Sequence, residues 1–270
     1  TGSWPEATGE ADLPATAAAA FRTLVRRNVD EPDALGVHLA LVVVRRGRIV
    51  AESYGPTAGA DETFISWSMA KSVVHALVGI CVRDGLLRVD DAAPVAVWAG
   101  DARRAITIRH LLHMRDGLDY VEDYVDARGS DVIEMLFGRG KDDVAGYAVG
   151  RPAAHEPGSF WNYSSGTTNV LARIVGDAVG GGEAGMRAFM QRELFGPLGM
   201  TSVDPRFDAA GTFIGSSYLY ATARDFARFG LLYLRDGVWD GQRILPEGWV
   251  DLARTRRSTD PDDGQGYGSG

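Results

Sequence analysis

The chain is short of several features that would narrow its class. It has 270 residues but only one cysteine, Cys81, so an internal disulfide is impossible. No stretch reaches the roughly 18 apolar residues that a membrane-spanning helix requires. The 28 basic and 36 acidic side chains give a net charge of −8, and no long basic run occurs among them. Nucleic acids and anionic membranes are therefore poor candidate partners.

The sequence also offers little for metal or cofactor chemistry. Its five histidines are not spaced like metal ligands. His110 and His113 have helical spacing, but no further acidic or cysteine residue completes a metal-ligand pattern with them. We therefore expect neither a metal nor a cofactor. Thr1–Glu10 lacks the charged start and apolar core of a secretory signal, so we expect a cytoplasmic location unless a signal has been removed.

The residues that are present indicate one large domain over 1–270. An apolar β-branched run at His38–Val44, a turn and a second strand at Arg48–Tyr54 predict a β-hairpin. Thr63–Arg83 is predicted as one long helix, because its apolar residues recur at helical spacing and Gly85 can cap its end. Shorter helices are predicted at Ala15–Arg27, Ile108–Met114, Asp131–Phe137, Thr167–Val179, Gly185–Phe195, Ala221–Leu234 and Pro246–Ala253.

Ser68-Met69-Ala70-Lys71 is the candidate catalytic motif. Residues three apart share one face of a helix, so the Lys71 ammonium is expected beside the Ser68 hydroxyl. A serine attacks well once an adjacent base has taken its proton, and lysine can be that base when burial lowers its pKa. The same short motif also occurs by chance, with an ordinary serine and a solvated lysine at a helix start. The surrounding sequence must therefore distinguish a catalytic motif from a chance occurrence.

Five segments give that context, in the order 64–72 (FISWSMAKS), 84–91 (DGLLRVDD), 106–113 (ITIRHLLH), 195–200 (FGPLGM) and 221–230 (ATARDFARFG). Together they resemble the serine β-lactamase and penicillin-binding-protein superfamily. More narrowly, they are similar to the class C β-lactamase branch, which includes D-Ala-D-Ala peptidases, esterases and 6-aminohexanoate-dimer hydrolases. The resemblance covers about His38 to Ala253.

The resemblance implies an α/β (α+β) fold. An antiparallel sheet flanked by helices would face a mainly helical lobe at about 84–215, with the active site in the cleft between them. Ser68 would be the nucleophile and Lys71 its base. Tyr163, in the segment PGSFWNYSS at 157–165, stands where the family carries a tyrosine that passes the proton to the leaving group. A core aromatic is the structural alternative for Tyr163.

Ser165 departs from the family pattern, because the β-lactamases carry asparagine at its position. An amide offers both a donor and an acceptor and reaches further than a hydroxyl. Ser165 can still bond Lys71 but would hold a penicillin less well, and Tyr-x-Ser is similar to the amide and ester hydrolases of the branch. We therefore expect hydrolysis of a small amide or carboxylic ester through an acyl-Ser68 intermediate. The alternatives are a β-lactamase or D-Ala-D-Ala carboxypeptidase, and a non-catalytic penicillin-recognising domain.

Two further residues are weaker candidates for substrate binding. Tyr124 lies in a loop that covers the cleft in the dimer-hydrolase relatives, and Ser217 precedes the helix predicted at Ala221; a solvated loop is the alternative for each. His75 shares a face with Ser68 but lies deeper along the helix, so we expect a satisfied core histidine. Lys71 is expected to have no carboxylate partner.

The third family motif, K-T-G or a variant on a strand at the site's edge, does not occur after Ala253. The hairpin at 38–54 is the only strong strand pattern, and an isolated hairpin is marginal in water. The glycines at 264–268 indicate a flexible lead into a strand. We therefore expect the intact protein to continue past Gly270 by roughly a hundred residues, which would complete the sheet and supply the second oxyanion donor. The sequence does not indicate an oligomeric state.

Overall fold

The computed structural model describes residues 15–126, 129–259 and 264–269, so the segment 1–10 that was inspected for a signal lies outside the described residues. The helices are α1 (Ala15–Asp30), α2 (Pro32–Leu35), α3 (Met69–Arg83), α4 (Ile108–Leu112), α5 (Asp131–Leu136), α6 (Val144–Val149), α7 (Ser165–Val179), α8 (Gly182–Met190), α9 (Gly196–Leu198), α10 (Ala223–Leu234) and α11 (Trp249–Arg254). The strands are β1 (Ala40–Arg45), β2 (Arg48–Tyr54), β3 (Thr63–Ile65), β4 (Asp204–Pro205), β5 (Leu219–Thr222), β6 (Val238–Trp239), β7 (Gln242–Arg243), β8 (Ser258–Thr259) and β9 (Gly266–Tyr267).

The strands form small antiparallel sheets. β1 and β2 make the predicted hairpin, in which Leu41 pairs with Ser53 and Val42 with Glu52. β5 lies between β3 and β4 in a three-stranded sheet, while β6–β7 and β8–β9 are two-stranded hairpins. Many helices with antiparallel strands make the mixed architecture of the expected α/β (α+β) class.

Two segments that the sequence predicts as helix begin as strands in the structure. Thr63–Ile65 forms β3 instead of the first turn of α3, and Leu219–Thr222 forms β5 in front of α10. The two strands pair with each other, with Phe64 opposite Ala221. This long-range pairing overrides the local helical periodicity. The prediction that residues 38–54 form the only strand pair was therefore wrong, whereas the other predicted helices are present with ends shifted by a few residues.

Helix α3 carries much of the core and contacts α7. Leu77 and Cys81 are fully buried. The helix ends as predicted, because Gly85 adopts a left-handed φ of 73°. The Gly85 N–H donates to the Val82 carbonyl and the Leu86 N–H to the Cys81 carbonyl. These two bonds form a Schellman motif, which fixes where the helix stops.

The predicted hairpin is less deeply buried than α3. It contacts α1 and α10, and its side chains Val42, Val44 and Ile49 pack against Leu231 and Trp239. All six residues of β1 keep some exposure to solvent. The β1–β2 hairpin is therefore more exposed to solvent than α3.

The last described residues reach the surroundings of Tyr163. Tyr267, in β9, pairs with Ser258 in β8. Its ring centroid lies 5.4 Å from that of Trp161 and 6.2 Å from that of Tyr163. The segment at 264–268 therefore does contain a short strand, and its tyrosine packs onto two aromatic side chains of the loop before α7.

Two findings bear on membranes and metals. Within the described ranges, no helix is long and apolar enough to cross a bilayer. In those same ranges, no three or more His, Cys, Asp or Glu side chains are grouped in a way that could hold a metal ion.

Candidate active site

The candidate nucleophile stands at the junction of β3 and α3. The Ser66 N–H donates to the Leu219 carbonyl over 2.8 Å, and Ser66 Oγ donates to the Ser217 carbonyl over 3.2 Å. Trp67 then takes a left-handed φ of 45°, and Ser68 follows as the N-terminal cap residue of α3. The nucleophile is thus held at the start of a long helix, where the helix dipole favours negative charge.

Lys71 lies beside Ser68, as the spacing predicts. Its Nζ donates to Ser68 Oγ over 3.0 Å, to Ser165 Oγ over 3.1 Å and to the Ser216 carbonyl over 3.0 Å. Three donors therefore meet three acceptors. The side chain is only 2% exposed, and this burial lowers the pKa of Lys71 from 10.5 to about 8. A lysine with that pKa is partly neutral near physiological pH.

A carboxylate is linked to Lys71 through the Ser165 hydroxyl. The expectation that Lys71 has no acidic partner was therefore wrong. Glu122 accepts from the Ser165 N–H over 2.7 Å and from Ser165 Oγ over 2.6 Å. The Glu122 charge raises the pKa of Lys71 and so opposes part of the larger effect of burial. Ser165 is the link between the base and this carboxylate.

Tyr163 lies against the same pair. Its ring centroid is 4.9 Å from Lys71 Nζ. Burial raises the pKa of Tyr163, while a hydrogen bond with Ser68 lowers it by less. The phenol therefore stays protonated at neutral pH and can give a proton to a group at Ser68. The sequence-predicted set Ser68, Lys71, Tyr163 and Ser165 is brought together in one cluster.

The two weaker candidates occupy different positions in this cluster. Tyr124 is 60% exposed, and its hydroxyl donates to Glu122 over 2.7 Å. It therefore stands at the open side of the site, where a substrate can touch it. Ser217 is buried, and its hydroxyl lies 2.9 Å from Ser216 Oγ. Ser217 belongs to the wall behind Lys71, and its own carbonyl anchors Ser66.

The sequence also matches a known protein family. The family model described as Beta-lactamase matches residues 21–270. The chain belongs to the β-lactamase family. The resemblance inferred from the five sequence segments is thereby confirmed, and so is the fold class that it implies.

Individual proteins and solved structures are similar to this chain. The 6-aminohexanoate-dimer hydrolase of Paenarthrobacter ureafaciens is 30% identical over 251 residues, covering 83% of this chain and 59% of that protein. A solved structure of a putative 6-aminohexanoate-dimer hydrolase from Bacillus anthracis superimposes with a TM-score of 0.75 at 21% identity, over 92% of this chain and 66% of that one. An octameric penicillin-binding-protein homologue from Pyrococcus abyssi gives a TM-score of 0.66 at 16% identity, over 93% of this chain and 63% of that one. The chain spans less than two thirds of the length of each.

Three polar groups of this β-lactamase-family site were missed from sequence. Glu122 lies in the same predicted loop as Tyr124, and nothing in the local sequence ties it to Ser165. Ser216 contributes its backbone carbonyl, which has no side-chain signature. Asn169 fixes that carbonyl's loop, since its Oδ1 accepts from the Ser216 N–H over 3.1 Å and its Nδ2 donates to Ser216 Oγ over 3.2 Å. Asn169 can reach Ser216 because it lies in α7, the helix that packs against α3.

His75 is a core residue, as expected, and not a member of the site. Its Nδ1 lies 3.1 Å from Trp249 Nε1 and 2.9 Å from the Tyr233 hydroxyl. The single indole N–H can donate to Nδ1 or to the His75 carbonyl, which lies 3.2 Å away. Nε2 has no hydrogen-bond partner among the described residues, so the histidine is only half satisfied. Burial lowers the pKa of His75 to about 3.

Proposed function

We propose that this β-lactamase-family chain is a serine hydrolase that cleaves a small amide or carboxylic ester through an acyl-Ser68 intermediate. The observation that carries the proposal is the contact of 3.0 Å between Lys71 Nζ and Ser68 Oγ, made by a lysine whose pKa is lowered to about 8. About a tenth of such a lysine is neutral at pH 7, which is enough for a general base. Its protonated form would hold the proton until the leaving group needs it.

The partners of Lys71 also orient its lone pair. The Ser216 carbonyl can only accept, so it takes one N–H of Lys71. Ser165 Oγ donates its proton to Glu122, so it must accept a second N–H. A neutral amine has two hydrogens, and both are then committed. The lone pair is left facing Ser68 Oγ, where it accepts the hydroxyl proton.

The reaction follows from these positions. Ser68 Oγ loses its proton to Lys71 and forms a bond to the substrate carbonyl carbon, whose C–N or C–O bond to the leaving group then breaks. The departing nitrogen or oxygen takes a proton from Tyr163, which recovers one from Lys71. The Ser68 N–H, at the start of α3, is one donor for the carbonyl oxygen as it becomes negative. A water molecule then attacks the acyl ester by the reverse route and frees the acid.

The substrate class rests on Ser165. Its hydroxyl accepts from Lys71 and donates to Glu122, so it positions the base and has no proton left for a substrate. The site lacks the amide with which β-lactamases hold a penicillin at this position. An amide is also the bond named for similar proteins, the 6-aminohexanoate-dimer hydrolase and a D-stereospecific amidohydrolase from Streptomyces with a TM-score of 0.62. We therefore favour linear amides and esters over β-lactams.

The test is covalent labelling. A fluorophosphonate probe should label the full-length protein at Ser68, and Ser68→Ala should abolish both labelling and ester turnover. Ser159→Ala is the matched control, because Ser159 lies on an exposed loop with its hydroxyl on the Glu156 carbonyl. Labelling that persists in Ser68→Ala would show that another serine reacts. Nitrocefin hydrolysis with kcat/KM tenfold above that of p-nitrophenyl acetate would reverse the substrate assignment, a difference of about 1.4 kcal/mol in transition-state binding.

A further inference from the structure

Trp67 combines an exposed apolar side chain with an unfavourable backbone conformation. Its side chain is 55% exposed, and its φ of 45° lies in the left-handed region, which bulky residues avoid. Met69, on the other side of Ser68, is 54% exposed. Large apolar side chains on both flanks of a nucleophile mark a binding surface rather than ordinary solvent exposure. Backbone strain of this kind persists where the surroundings impose it, and it concentrates at functional sites.

The surroundings do impose this conformation. The Trp67 carbonyl accepts from the Ala70 N–H over 3.0 Å and shares the Ser66 hydroxyl proton with the Ser217 carbonyl. The indole ring centroid lies 6.2 Å from that of Tyr218, with the planes tilted by 55°. Tyr218 is itself fixed, because its N–H donates to the Ile214 carbonyl over 3.0 Å. Trp67 and Tyr218 thus form a fixed aromatic wall beside Ser68.

The proton route shows which part of the substrate meets this wall. Tyr163 gives its proton to the leaving group, so the leaving group lies on the Tyr163 side of Lys71. The wall adjoins Ser68 through other residues, because Trp67 directly precedes Ser68 and Tyr218 lies two residues after Ser216, whose carbonyl accepts from Lys71 Nζ. The acyl part of the substrate must extend to the side that the leaving group does not occupy.

We propose that Trp67, together with Tyr218, is the specificity-determining wall that binds the apolar part of the acyl group. This inference rests on the proposed hydrolase function and deepens it. Neither ring carries a charge, so the wall fits a chain of methylene groups or an aromatic acyl group. A wall on one side of a chain removes about half of its apolar surface from water, and each methylene that it covers adds to transition-state binding.

The test compares acyl chains at a constant leaving group, in the full-length protein. The ratio of kcat/KM for p-nitrophenyl hexanoate to that for the acetate should fall about tenfold in Trp67→Ala, because four methylenes lose one apolar face. Trp67→Phe should keep most of the ratio. Val97→Ala is the control, since Val97 is an exposed apolar residue of another element (62% exposed). Thermal melting reports folding, and Trp67→Gly, which suits the left-handed backbone, replaces Trp67→Ala if that variant unfolds.

Three results would count against the wall. An equal loss for acetate and hexanoate in Trp67→Ala would mean that Trp67 only shapes the nucleophile segment. A loss that instead follows the alkyl length of the leaving group, measured with ethyl and hexyl acetate, would place the leaving group there. A Trp67→Ala variant that hydrolyses acetate and hexanoate at wild-type rates, with Ser68 still labelled by the fluorophosphonate, overturns this inference alone. A wild-type protein without Ser68 labelling or ester turnover overturns the proposed function instead.

Discussion

Helix α3 holds two buried basic nitrogens in two different regions, and only one of them is fitted for proton transfer. Lys71, at the cleft end, is 2% exposed, and His75, one turn deeper, is 1% exposed. Burial lowers both pKa values, to about 8 for Lys71 and about 3 for His75. Burial alone therefore does not separate an active base from an inert one.

Most of the gap between these two pKa values is intrinsic, because the pKa of a lysine starts at 10.5 and that of a histidine at 6.5, and the neighbours widen it. Lys71 Nζ faces two hydroxyls and a carbonyl, with the negative charge of Glu122 behind them. His75 receives a donor from Trp249 on Nδ1 and feels the like charge of His113, which lowers its pKa further. The Glu122 carboxylate offsets part of the effect of burial on Lys71, whereas burial and a second histidine both act to keep His75 neutral at ordinary pH.

Replacing Lys71 is expected to give the largest effect. Lys71→Met should lower kcat/KM by at least about 10³-fold, because it removes the base that accepts the Ser68 proton. Lys71→Arg should be equally inactive, since a guanidinium stays charged and cannot serve as a base. Lys141→Met is the control, because Lys141 is exposed and pairs only with its neighbour Asp142 over 3.4 Å. Substantial ester turnover by Lys71→Met would remove Lys71 from the mechanism.

The pH dependence comes next in size. The active form has a neutral Lys71, so kcat/KM should rise about tenfold per pH unit below pH 8 and level off above it. The stability of the fold should follow the same group. Its pKa is lower folded than unfolded, so the unfolded chain binds more protons between pH 8 and 10.5, and unfolding free energy should rise with pH there. A rate that keeps rising past pH 10 would contradict a lowered pKa. His75, with a pKa of about 3, should add no further limb between pH 5 and 8.

Changes around His75 should alter the stability of the fold and leave the catalytic rate unchanged. Trp249→Phe removes the indole N–H that donates to His75 Nδ1 over 3.1 Å and leaves a smaller ring beside it. We expect a loss of about 1–3 kcal/mol in unfolding free energy, measured by urea denaturation. Trp239→Phe, at a partly exposed tryptophan of β6, should cost less. The midpoint of the pH–rate profile should stay where it is in both variants, and a shift in Trp249→Phe would show that the two regions are coupled.

Sequence reasoning succeeded in this molecule where chemistry follows local spacing. The contact of Ser68 with Lys71 comes from helical geometry. The bond of Ser165 with Lys71 spans 94 positions and was expected only from the family resemblance. It failed where a long-range partner decides. Residues 63–65 look helical until β5 pairs with them, and the Ser216 carbonyl has no side-chain signal. Glu122 and Ser165 are separated by 43 positions, so only the fold brings them together.

Glu122 gives the smallest expected effect and the sharpest test of why Lys71 differs from His75. Glu122→Gln removes the charge that raises the pKa of Lys71, so the midpoint of the pH–rate profile should move to lower pH. The maximal rate should also fall, because the amide replaces one of the two acceptor oxygens by an NH2 group, which would face either the Ser165 N–H or its hydroxyl as a second donor. These two readouts separate charge from positioning.

Tyr124→Phe is the matched control for Glu122. It removes one hydrogen bond to the Glu122 carboxylate but keeps the negative charge, so the midpoint should change far less than in Glu122→Gln. A midpoint that moves equally in both variants would show that the Glu122 position, and not its charge, sets the pKa of Lys71. A midpoint that moves to higher pH in Glu122→Gln would contradict the sign of the interaction. In that case the hydroxyls and the carbonyl around Nζ would be sufficient to keep this buried lysine titratable.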